Sequence, residues 1–339
     1  MTEDTGNLTI SPYRCPADIL VTARSHLVDR FVPACEIIQL PEKSVDGGTL
    51  SYELTNRVLT SQAPKKQRFS LKRRQAVQQK DEHTLVDFRL RFPENWAHFL
   101  NNHLPILFAL IDETGLRPDD LRLILPENIP GYIIEAARFF GFSSLATDAD
   151  IEGRNLAFEA EPWTGIRPMR FKWAQLDLPR SILVRSEVEA GEERGLPKRA
   201  FLSRRKTRAL ENEAEIETLL ARHGFEKLYP EDLSVADQFR LFEEAEEIVA
   251  IHGAALAPLL YRSDNSQLNR VIELFPCGHM TDVYRVMCHQ VGCRWIGVRG
   301  RIKPEHIAGA YDLEKPFLEY SLQSFSVDPK SLEIALDLK

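Results

Sequence analysis

The 339-residue sequence lacks the features that define several large classes of protein. It has no uninterrupted apolar run near the roughly 20 residues that a membrane-spanning helix needs. Its first residues are acidic and polar, so no secretory signal peptide is expected. Cysteine is scarce, and the five residues are an odd number that fits a reducing compartment better than a disulfide framework. These absences predict a cytoplasmic protein, held at most peripherally at the inner membrane.

Motifs for common cofactors and metals are also missing. No G-x-G-x-x-G follows a predicted strand and no G-x-x-x-x-G-K-[ST] occurs, which disfavours a dinucleotide enzyme and a P-loop NTPase. Three cysteines and two histidines lie close together late in the chain: Cys277, His279, Cys288, His289 and Cys293. Their spacing matches no standard zinc motif. We therefore expect no metal ion and no cofactor.

An excess of positive charge is missing as well. Lysine and arginine number 43 against 50 acidic residues, a formal charge of −7, which argues against a nucleic-acid partner. A local basic run from Lys65 to Arg74 stands against this average. It predicts either a solvated surface or a contact with an anionic acceptor or a membrane surface. The sequence carries no indication of oligomeric state.

What the sequence does contain is a regular alternation of strand and helix patterns. Over residues 85–160 the alternation indicates a first α/β domain, in which Pro105 must kink or divide an apolar helix. A second alternation runs from Ala200 to Val298 and predicts a parallel, Rossmann-like sheet. Residues 166–199 are rich in proline, glycine and charge, so we place the hinge there.

These patterns divide the chain into three predicted parts. Residues 1–175 form an N-terminal α/β domain, and residues 176–310 form a C-terminal Rossmann-like domain. Residues 311–339 form a tail that we expect to pack back on the N-terminal domain. The predicted fold class is therefore α/β, with two domains and an appended tail.

One stretch of the second domain indicates an anion site. The apolar run Ile248–Ile251 predicts a buried strand, and His252 and Gly253 follow it directly before a helical pattern. The N–H groups and dipole of a helix that starts at such a turn attract anions, and small Ala254 and Ala255 would let a phosphate approach. The alternative is a corner that binds nothing, with His252 tying the turn together.

Other candidate residues lie at the carboxyl ends of the same predicted sheet, where α/β proteins bind ligands. Arg204, Arg205 and Arg208 follow a strand, and guanidinium groups bind phosphate bidentately. We favour Arg204, with Arg205 or Arg208 second; the alternative is surface charge paired with nearby glutamates. Glu273 is predicted to end a strand, where it would either bind ribose hydroxyls or lie on the surface.

The first domain offers candidates for a general base. His98 is favoured because an unperturbed imidazole titrates near neutral pH. It lies within an apolar helical pattern, so a buried histidine with a structural role is the alternative. Glu94 and His103 remain open as other bases.

Together these motifs resemble glycosyltransferase family 61. In residues 200–275 the resemblance rests on motifs in the family's order: Ser203-Arg204-Arg205, Arg208, Asn212-Glu213, Gln238, His252-Gly253-Ala254 and Val271-Ile272-Glu273-Leu274. In the first domain it rests on Asn95, His98 and Leu104-Pro105. Three positions depart from the family: Ala255 stands where glycine is common, Pro258 where asparagine is common, and Asn102 where an acid is frequent.

The resemblance implies a GT-B architecture, in which two Rossmann-like domains face a cleft and the first domain binds the acceptor. It implies an inverting, metal-independent transfer from a nucleotide-sugar donor to a glycan or lipid-linked glycan in bacterial capsular polysaccharide biosynthesis. Asn95, Asn212 and Gln238 would support the site. The alternative is a non-catalytic nucleotide-sugar-binding or scaffold protein of a polysaccharide assembly system.

Overall fold

The fold is given by a computed structural model that describes residues 4–9, 12–23, 35–45, 47–60, 77–78, 82–90, 92–159, 195–302 and 321–338. Over these residues the protein is a mixed α/β structure, as predicted. None of the helices in these ranges is long and apolar enough to cross a membrane. The basic run from Lys65 to Arg74 and residues 166–194 of the predicted hinge lie outside the described residues.

The described strands and helices follow one another in the alternation that the sequence indicates. The strands are β1 (Asp4–Thr9), β2 (Tyr13–Cys15), β3 (Asp18–Ala23), β4 (Cys35–Leu40), β5 (Lys43–Val45), β6 (Thr49–Leu59), β7 (Val77–Gln78), β8 (Thr84–Asp87), β9 (Leu121–Leu125), β10 (Ser143–Ala146), β11 (Ile151–Glu159), β12 (Arg199–Leu202), β13 (Glu226–Leu228), β14 (Glu247–Ile251), β15 (Arg270–Phe275) and β16 (Arg294–Arg299). The α-helices are α1 (Trp96–His98), α2 (Leu104–Thr114), α3 (Gly131–Phe139), α4 (Glu213–Arg222), α5 (Val235–Glu244), α6 (Val283–Gln290) and α7 (Pro329–Asp337). A π-helix covers Phe99–His103, and 3-10 helices cover Pro118–Asp120, Pro230–Asp232 and Ala254–Tyr261.

The chain divides into two compact units. Unit 1 comprises Met1–Tyr13 and Asp46–Arg185, and unit 2 comprises Arg14–Val45 and Ser186–Lys339. This division differs from a first domain of residues 1–175, because β3 pairs with β16 and carries β4 into the second sheet. Such pairing between distant parts of the chain leaves no local pattern in the sequence.

Unit 1 is built on a sheet with the order β1-β6-β11-β8-β9-β10, in which β7 also pairs with β11. The strands from β11 to β10 are parallel, and β1, β6 and β11 pair antiparallel. The predicted long helix is divided, as expected, near Pro105. Proline has no N–H to donate and crowds the carbonyl four residues earlier, so the turn before it is a π-helix. In that turn the N–H of Leu104 donates to the carbonyl oxygen of Phe99.

Unit 2 contains the predicted parallel sheet, with the order β13-β12-β14-β15-β16-β3-β4. All neighbours are parallel except β3 and β4 at one edge. β14 and β15 are almost wholly buried, as strands covered on both faces should be. The carboxyl ends of β12, β14 and β15 therefore meet at one edge, where ligands of such sheets bind.

The C-terminal helix α7 packs on unit 2. Leu332, Ala335 and Leu336 are buried in the same core as Val21 of β3 and Val298 of β16. The tail thus packs on strands of unit 2, and one of them, β3, lies within residues 1–175 of the predicted N-terminal domain. Apolar burial of this kind holds the chain terminus in place.

Candidate functional site

Two of the predicted phosphate-binding arginines meet at the carboxyl ends of β12 and β14. Nη1 of Arg204 donates to the carbonyl oxygen of His252 at 3.0 Å, and Nη1 of Arg208 donates to the same oxygen at 3.3 Å. Burial lowers the pKa of both guanidinium groups, and the charge of Arg204 lowers the pKa of Arg208 further. Two like charges held this close favour an anion beside them.

The turn after β12 is shaped to bring both arginines to His252. Arg208 has a φ of 60°, a left-handed conformation that costs a non-glycine residue about 1–2 kcal/mol. Its Nε donates to the carbonyl oxygen of Ser321 at 2.5 Å, and Nη2 of Arg204 donates to the Thr207 hydroxyl at 3.1 Å. Each guanidinium has five N–H groups, and these hydrogen bonds leave several to donate to a phosphate.

Gly253 is required because Arg204 lies against it. A Cβ at this position would be 2.0 Å from Nη1 of Arg204 and 3.0 Å from its Cζ. The sequence predicts that small Ala254 and Ala255, next to Gly253, let a phosphate approach the backbone. In the structure the guanidinium of Arg204 occupies the space where a Cβ at residue 253 would lie, so the glycine makes room for Arg204.

The segment after Gly253 is a 3-10 helix, Ala254–Tyr261. Ala254 and Ala255 are partly exposed, and Pro258 lies in the buried second half. A 3-10 helix of eight residues has poorer hydrogen-bond geometry than the regular helix assumed for the dipole argument. The arginines therefore supply most of the positive charge at this corner.

Glu273 does not lie at the strand end where it was predicted. It is the fourth residue of β15 and completely buried. Its Oε1 lies 2.6 Å from Nδ1 of His252, and its Oε2 accepts a hydrogen bond from Nε1 of Trp295 at 2.8 Å. Both oxygens are thus engaged inside the sheet, which does not support the expected bonds to ribose hydroxyls. The carboxylate instead orients the imidazole of His252.

Trp295 reaches Glu273 by lying over Gly297. Glu273 and Gly297 are register partners on β15 and β16, and a Cβ on Gly297 would be 2.6 Å from the Trp295 ring. Sequence reasoning missed Trp295, since no motif marks it. The signal that could have found it is a tryptophan two residues before a glycine. Alternate residues of a strand share a face, so the glycine leaves room for the indole ring to lie along that face.

Other rings complete the surroundings of His252. Phe275 stacks on its imidazole at 5.1 Å between centroids, His279 lies at 5.0 Å and Tyr284 at 5.8 Å. Burial, with the neighbouring His252 and Arg208, lowers the pKa of His279 to about 4. Burial also raises the pKa of Tyr284 above its ordinary value. The site is therefore electropositive and keeps one of its histidines neutral.

Arg205 points to a different cluster. Its guanidinium donates to Asp232 at 2.7 Å and to Glu231 at 3.4 Å, and it lies 3.8 Å from the centroid of the Tyr229 ring. The hydrogen bond to Asp232 raises the pKa of Arg205. In this structure Arg205 thus pairs with nearby carboxylates, which was the alternative to donor binding, and it does not join Arg204 and Arg208 at His252. No such ion pair is found for Arg204 among the described residues.

The predicted supporting residues of unit 2 make hydrogen bonds within that unit. Asn212 precedes α4 but does not cap it with its side chain; it donates to the Val327 carbonyl at 2.8 Å and accepts the Val327 N–H at 3.1 Å. Glu213 accepts a hydrogen bond from the Ser203 hydroxyl at the end of β12. Gln238 donates to a backbone carbonyl before α5. These contacts are structural.

In unit 1, His98 is partly buried at the end of α1. Its Nδ1 lies 2.8 Å from Nδ2 of Asn102. An amide nitrogen can only donate, so Nδ1 accepts and the neutral imidazole carries its proton on Nε2. Burial lowers the pKa of His98, and the charge of Glu94 offsets part of that effect. His98 thus presents an N–H donor rather than the lone pair expected of a base.

The neighbours of His98 have distinct roles. Asn95 caps α1, its Oδ1 accepting two backbone N–H groups at 3.0 and 3.3 Å. His103 is buried, with its ring nitrogens 2.9 and 3.2 Å from the carbonyl oxygens of His98 and Leu90, so neither nitrogen can serve a substrate. Glu94 is exposed and remains the carboxylate candidate for a base.

One group in the described ranges offers three metal-ligand types, with ligand atoms within 4.8 Å of one another: Cys15, Asp18 and His289. Oδ2 of Asp18 is already 2.7 Å from Nε of Arg285 and 2.6 Å from Nε2 of His289. Burial raises the pKa of the Cys15 thiol, which disfavours the thiolate that binds metals. We interpret the group as an ion pair that joins α6 to β3.

A comparison with models of protein families matches residues 96–268 to the family described as Glycosyltransferase 61. The matched segment is just over half of the chain. It contains His98, Arg204, Arg208, His252 and Gly253. No curated protein matches the chain.

Proposed function

Since the chain belongs to glycosyltransferase family 61, and is therefore a glycosyltransferase, we propose that it transfers a sugar from a nucleotide-sugar donor to a glycan acceptor with inversion and without an obligatory metal. The observation that carries the proposal is the convergence of Arg204 and Arg208 on the His252 carbonyl at the ligand-binding edge of the parallel sheet. This arrangement supplies positive charge where a departing diphosphate needs it.

The donor's diphosphate binds at this cluster in our proposal. Arg204 and Arg208 donate N–H groups to its oxygens and stabilise the charge that develops as the sugar leaves. His252 donates its Nδ1 proton to Glu273, which leaves Nε2 for a phosphate oxygen. Ala254 and Ala255 are partly exposed and leave room for the phosphate beside the backbone.

Inversion is a single displacement, in which the acceptor oxygen bonds to the anomeric carbon as the diphosphate departs with the bonding electrons. The acceptor hydroxyl must lose its proton to a base in the same reaction. We assign that proton to Glu94, because the lone pair of neutral His98 is used by Asn102. His98 orients the hydroxyl by donating from Nε2.

The wider setting of the reaction rests on the family resemblance. We propose that the two α/β units are the two halves of a GT-B glycosyltransferase, with the acceptor on unit 1 and the donor on unit 2. The acceptor class that we propose is a surface glycan or its lipid-linked precursor, as in bacterial capsule synthesis, handled at the cytoplasmic side of the inner membrane.

Titration with nucleoside diphosphates tests the donor site directly. The full chain is heated with uridine, guanosine, adenosine or cytidine diphosphate, since a ligand of the native state raises its stability as ln(1 + [L]/Kd). We expect one of them to raise the Tm, and Arg204→Gln to lower its affinity about tenfold or more, the loss of a charge-assisted bond.

Arg205→Gln is the matched control. It removes the same charge from the next residue, whose guanidinium is paired with Asp232, and it should leave nucleotide affinity unchanged. Equal affinity of the Arg204→Gln protein and the wild type would contradict the proposed site. The absence of any stabilising nucleoside diphosphate, together with no diphosphate released from nucleotide sugars, would contradict the proposed function.

A further inference from the structure

Unit 1 exposes aromatic side chains around the turn that precedes α1. Phe92 is 69% exposed and Tyr132 is 45% exposed. In the turn, the N–H of Asn95 donates a hydrogen bond to the carbonyl oxygen of Phe92 at 3.0 Å. The hydroxyl of Tyr132 donates to the carbonyl oxygen of Glu94 at 2.7 Å. Trp96 packs edge to face against Tyr132 at 5.9 Å between centroids. We call these five residues the aromatic turn.

The backbone of the aromatic turn is strained at Phe92. Its φ is 59°, and Arg208 at the donor site is the other non-glycine residue with positive φ in the described ranges. For a bulky residue this conformation costs about 1–2 kcal/mol. Burial of the ring does not repay that cost, because most of the ring is in solvent. Strain of this kind is retained where a function needs the side chain in place.

Polar groups lie directly beside the exposed ring of Phe92. The imidazole of His98 is 6.3 Å from it between centroids, and its Nε2–H is a donor because Asn102 occupies Nδ1. The π-helix that follows is a local irregularity often found at functional sites. Within it, Oδ1 of buried Asn101 has no hydrogen-bond partner in the described structure, so a water or a ligand hydroxyl must satisfy it.

We propose that the aromatic turn and His98 bind a sugar ring of the acceptor, an inference that rests on the proposed function. The exposed face of Phe92 packs against the C–H face of the ring. His98 donates from Nε2 to a ring hydroxyl, and the exposed carboxylate of Glu94 accepts from one. Phe92 is therefore a specificity-determining residue for the acceptor, and its strained backbone presents the ring to it.

The chemistry of the surface favours a sugar over other occupants. A pyranose has one apolar face and a rim of hydroxyls, which matches rings that alternate with hydrogen-bonding groups. An anionic lipid surface is attracted by lysine and arginine, whereas the exposed charge within this turn is Glu94. A stable protein interface buries about 800 Å² on each partner, far more than two exposed rings supply.

Saturation-transfer NMR with a panel of methyl glycosides tests the proposal without any donor. We expect the wild-type full chain to transfer saturation to the ring C–H protons of at least one glycoside. Phe92→Gly should weaken that binding about tenfold, while Phe92→Tyr retains it, because the lost contact is aromatic. The matched control is Val58→Ala on β6, a change at another exposed apolar side chain of unit 1 that should leave binding unchanged.

A stability measurement separates this role from a structural one. Glycine adopts positive φ without strain, so Phe92→Gly should raise the urea midpoint while it lowers glycoside affinity. A lower midpoint with unchanged affinity would overturn the proposal, as would a wild type that binds none of the glycosides. Loss of binding to phosphatidylglycerol vesicles, rather than to glycosides, in the Phe92→Gly protein would assign the surface to lipid and also overturn it.

The two proposals fail in different ways. If no nucleotide binds and no diphosphate is released but the glycosides still bind through Phe92, the proposed function fails and the sugar site stands. If nucleotide binding and turnover are intact but Phe92→Gly leaves the acceptor KM and glycoside binding unchanged, the sugar site fails and the function stands.

Discussion

The proposed donor cluster of unit 2, namely Arg204, Arg208, His252 and Glu273, and the aromatic turn of unit 1 are built by opposite means. In unit 2, charged side chains converge on the end of a regular parallel sheet, and a fully buried carboxylate holds the central histidine. In unit 1, an irregular turn before a π-helix presents exposed rings, with the imidazole of His98 and the exposed carboxylate of Glu94 beside them. Each cluster contains one residue in a strained left-handed conformation, Arg208 or Phe92. The difference suits a diphosphate in one case and a sugar in the other.

The comparison also shows what each cluster depends on. The donor cluster depends on electrostatics inside a rigid core, so small changes to buried partners should have large effects on turnover. The aromatic turn depends on surface contacts, whose individual contributions are small. Variants of the two clusters should therefore differ in the size of their effects and in the kinetic constant that changes.

The largest effect is expected from Gly253→Ala. The new Cβ would lie 2.0 Å from Nη1 of Arg204, so the guanidinium must leave the site. Turnover should fall about 10²-fold or more, as for loss of a transition-state donor. Arg204→Ala should lower turnover by the same factor. The double variant should lose no more than either single variant, because both changes remove the guanidinium of Arg204 from the site. Rates of nucleoside diphosphate release check this.

The matched control for that cycle is Gly131→Ala, the first residue of α3. A Cβ there meets no atom within 4 Å, so turnover should be unchanged. Additive losses in the Gly253→Ala, Arg204→Ala double variant would show that Gly253 serves something other than the approach of the arginine.

A smaller loss is expected when the buried partner of His252 is changed. Gln replaces one carboxylate oxygen of Glu273 with an N–H donor, so one of its two hydrogen bonds, from Trp295 or from His252, must be lost or reversed. Turnover should fall about tenfold to a hundredfold, the range for residues that orient a ligating histidine. The free energy of unfolding should fall by about 1–3 kcal/mol, the cost of an unsatisfied buried group.

The imidazole itself reports on this role of Glu273. Nitrogen-15 NMR should show the proton of neutral His252 on Nδ1 in the wild type and on Nε2 in Glu273→Gln. Trp295→Phe keeps the contact between Glu273 and His252, so it should destabilise the protein but leave the tautomer unchanged. An unaltered tautomer in Glu273→Gln would show that other contacts orient the ring.

Titration of His279 is expected to change nucleotide affinity several-fold with pH. Its pKa is about 4 in the folded protein against about 6.5 in the unfolded chain. As the pH falls, His279 is therefore protonated in the unfolded chain before it is protonated in the folded protein. The free energy of unfolding decreases as the pH falls from 6.5 to 4. A bound diphosphate adds negative charge and raises the pKa, so nucleoside diphosphates should bind more tightly as the pH falls through the same range.

His279→Gln provides the comparison for both trends. It should reduce the loss of Tm in acid and also the gain in nucleotide affinity, as measured by calorimetric titration at several pH values. A variant with the same pH dependence of affinity as the wild type would place His279 outside the reach of the ligand's charge.

The sequence predicted local features of the fold well, and its long-range pairings poorly. The strand before His252 is confirmed, because its apolar run depends on adjacent residues alone. The position of β3 in the second sheet was not predicted, because its partner β16 is far away in the chain. The amide of Asn212 binds Val327 of the C-terminal segment, another contact between residues far apart in the chain.

The candidate residues follow the same division. Arg204 and His252 were expected to meet because both follow strands of one parallel sheet, and they do. Which of Arg205 and Arg208 joins them depends on the backbone of one turn, where Arg208 adopts positive φ, and composition does not predict that conformation. The burial of Glu273 depends on Trp295 in the next strand, a contact that no spacing in the sequence reveals.

The smallest effect is expected from Asn102→Asp. This change would pair His98 of unit 1 with a carboxylate, as His252 of unit 2 is paired with Glu273. A carboxylate accepts from Nδ1–H, so the pKa of His98 should rise and its neutral proton should move from Nε2 to Nδ1. If His98 orients the acceptor sugar by donating a hydrogen bond from Nε2, the KM for the acceptor sugar should rise a few-fold while nucleotide affinity stays unchanged. NMR titration of His98 and steady-state kinetics over pH measure both. A higher kcat with an unchanged KM would instead show that His98 with a free Nε2 is the better base, which would move that role from Glu94 to the imidazole.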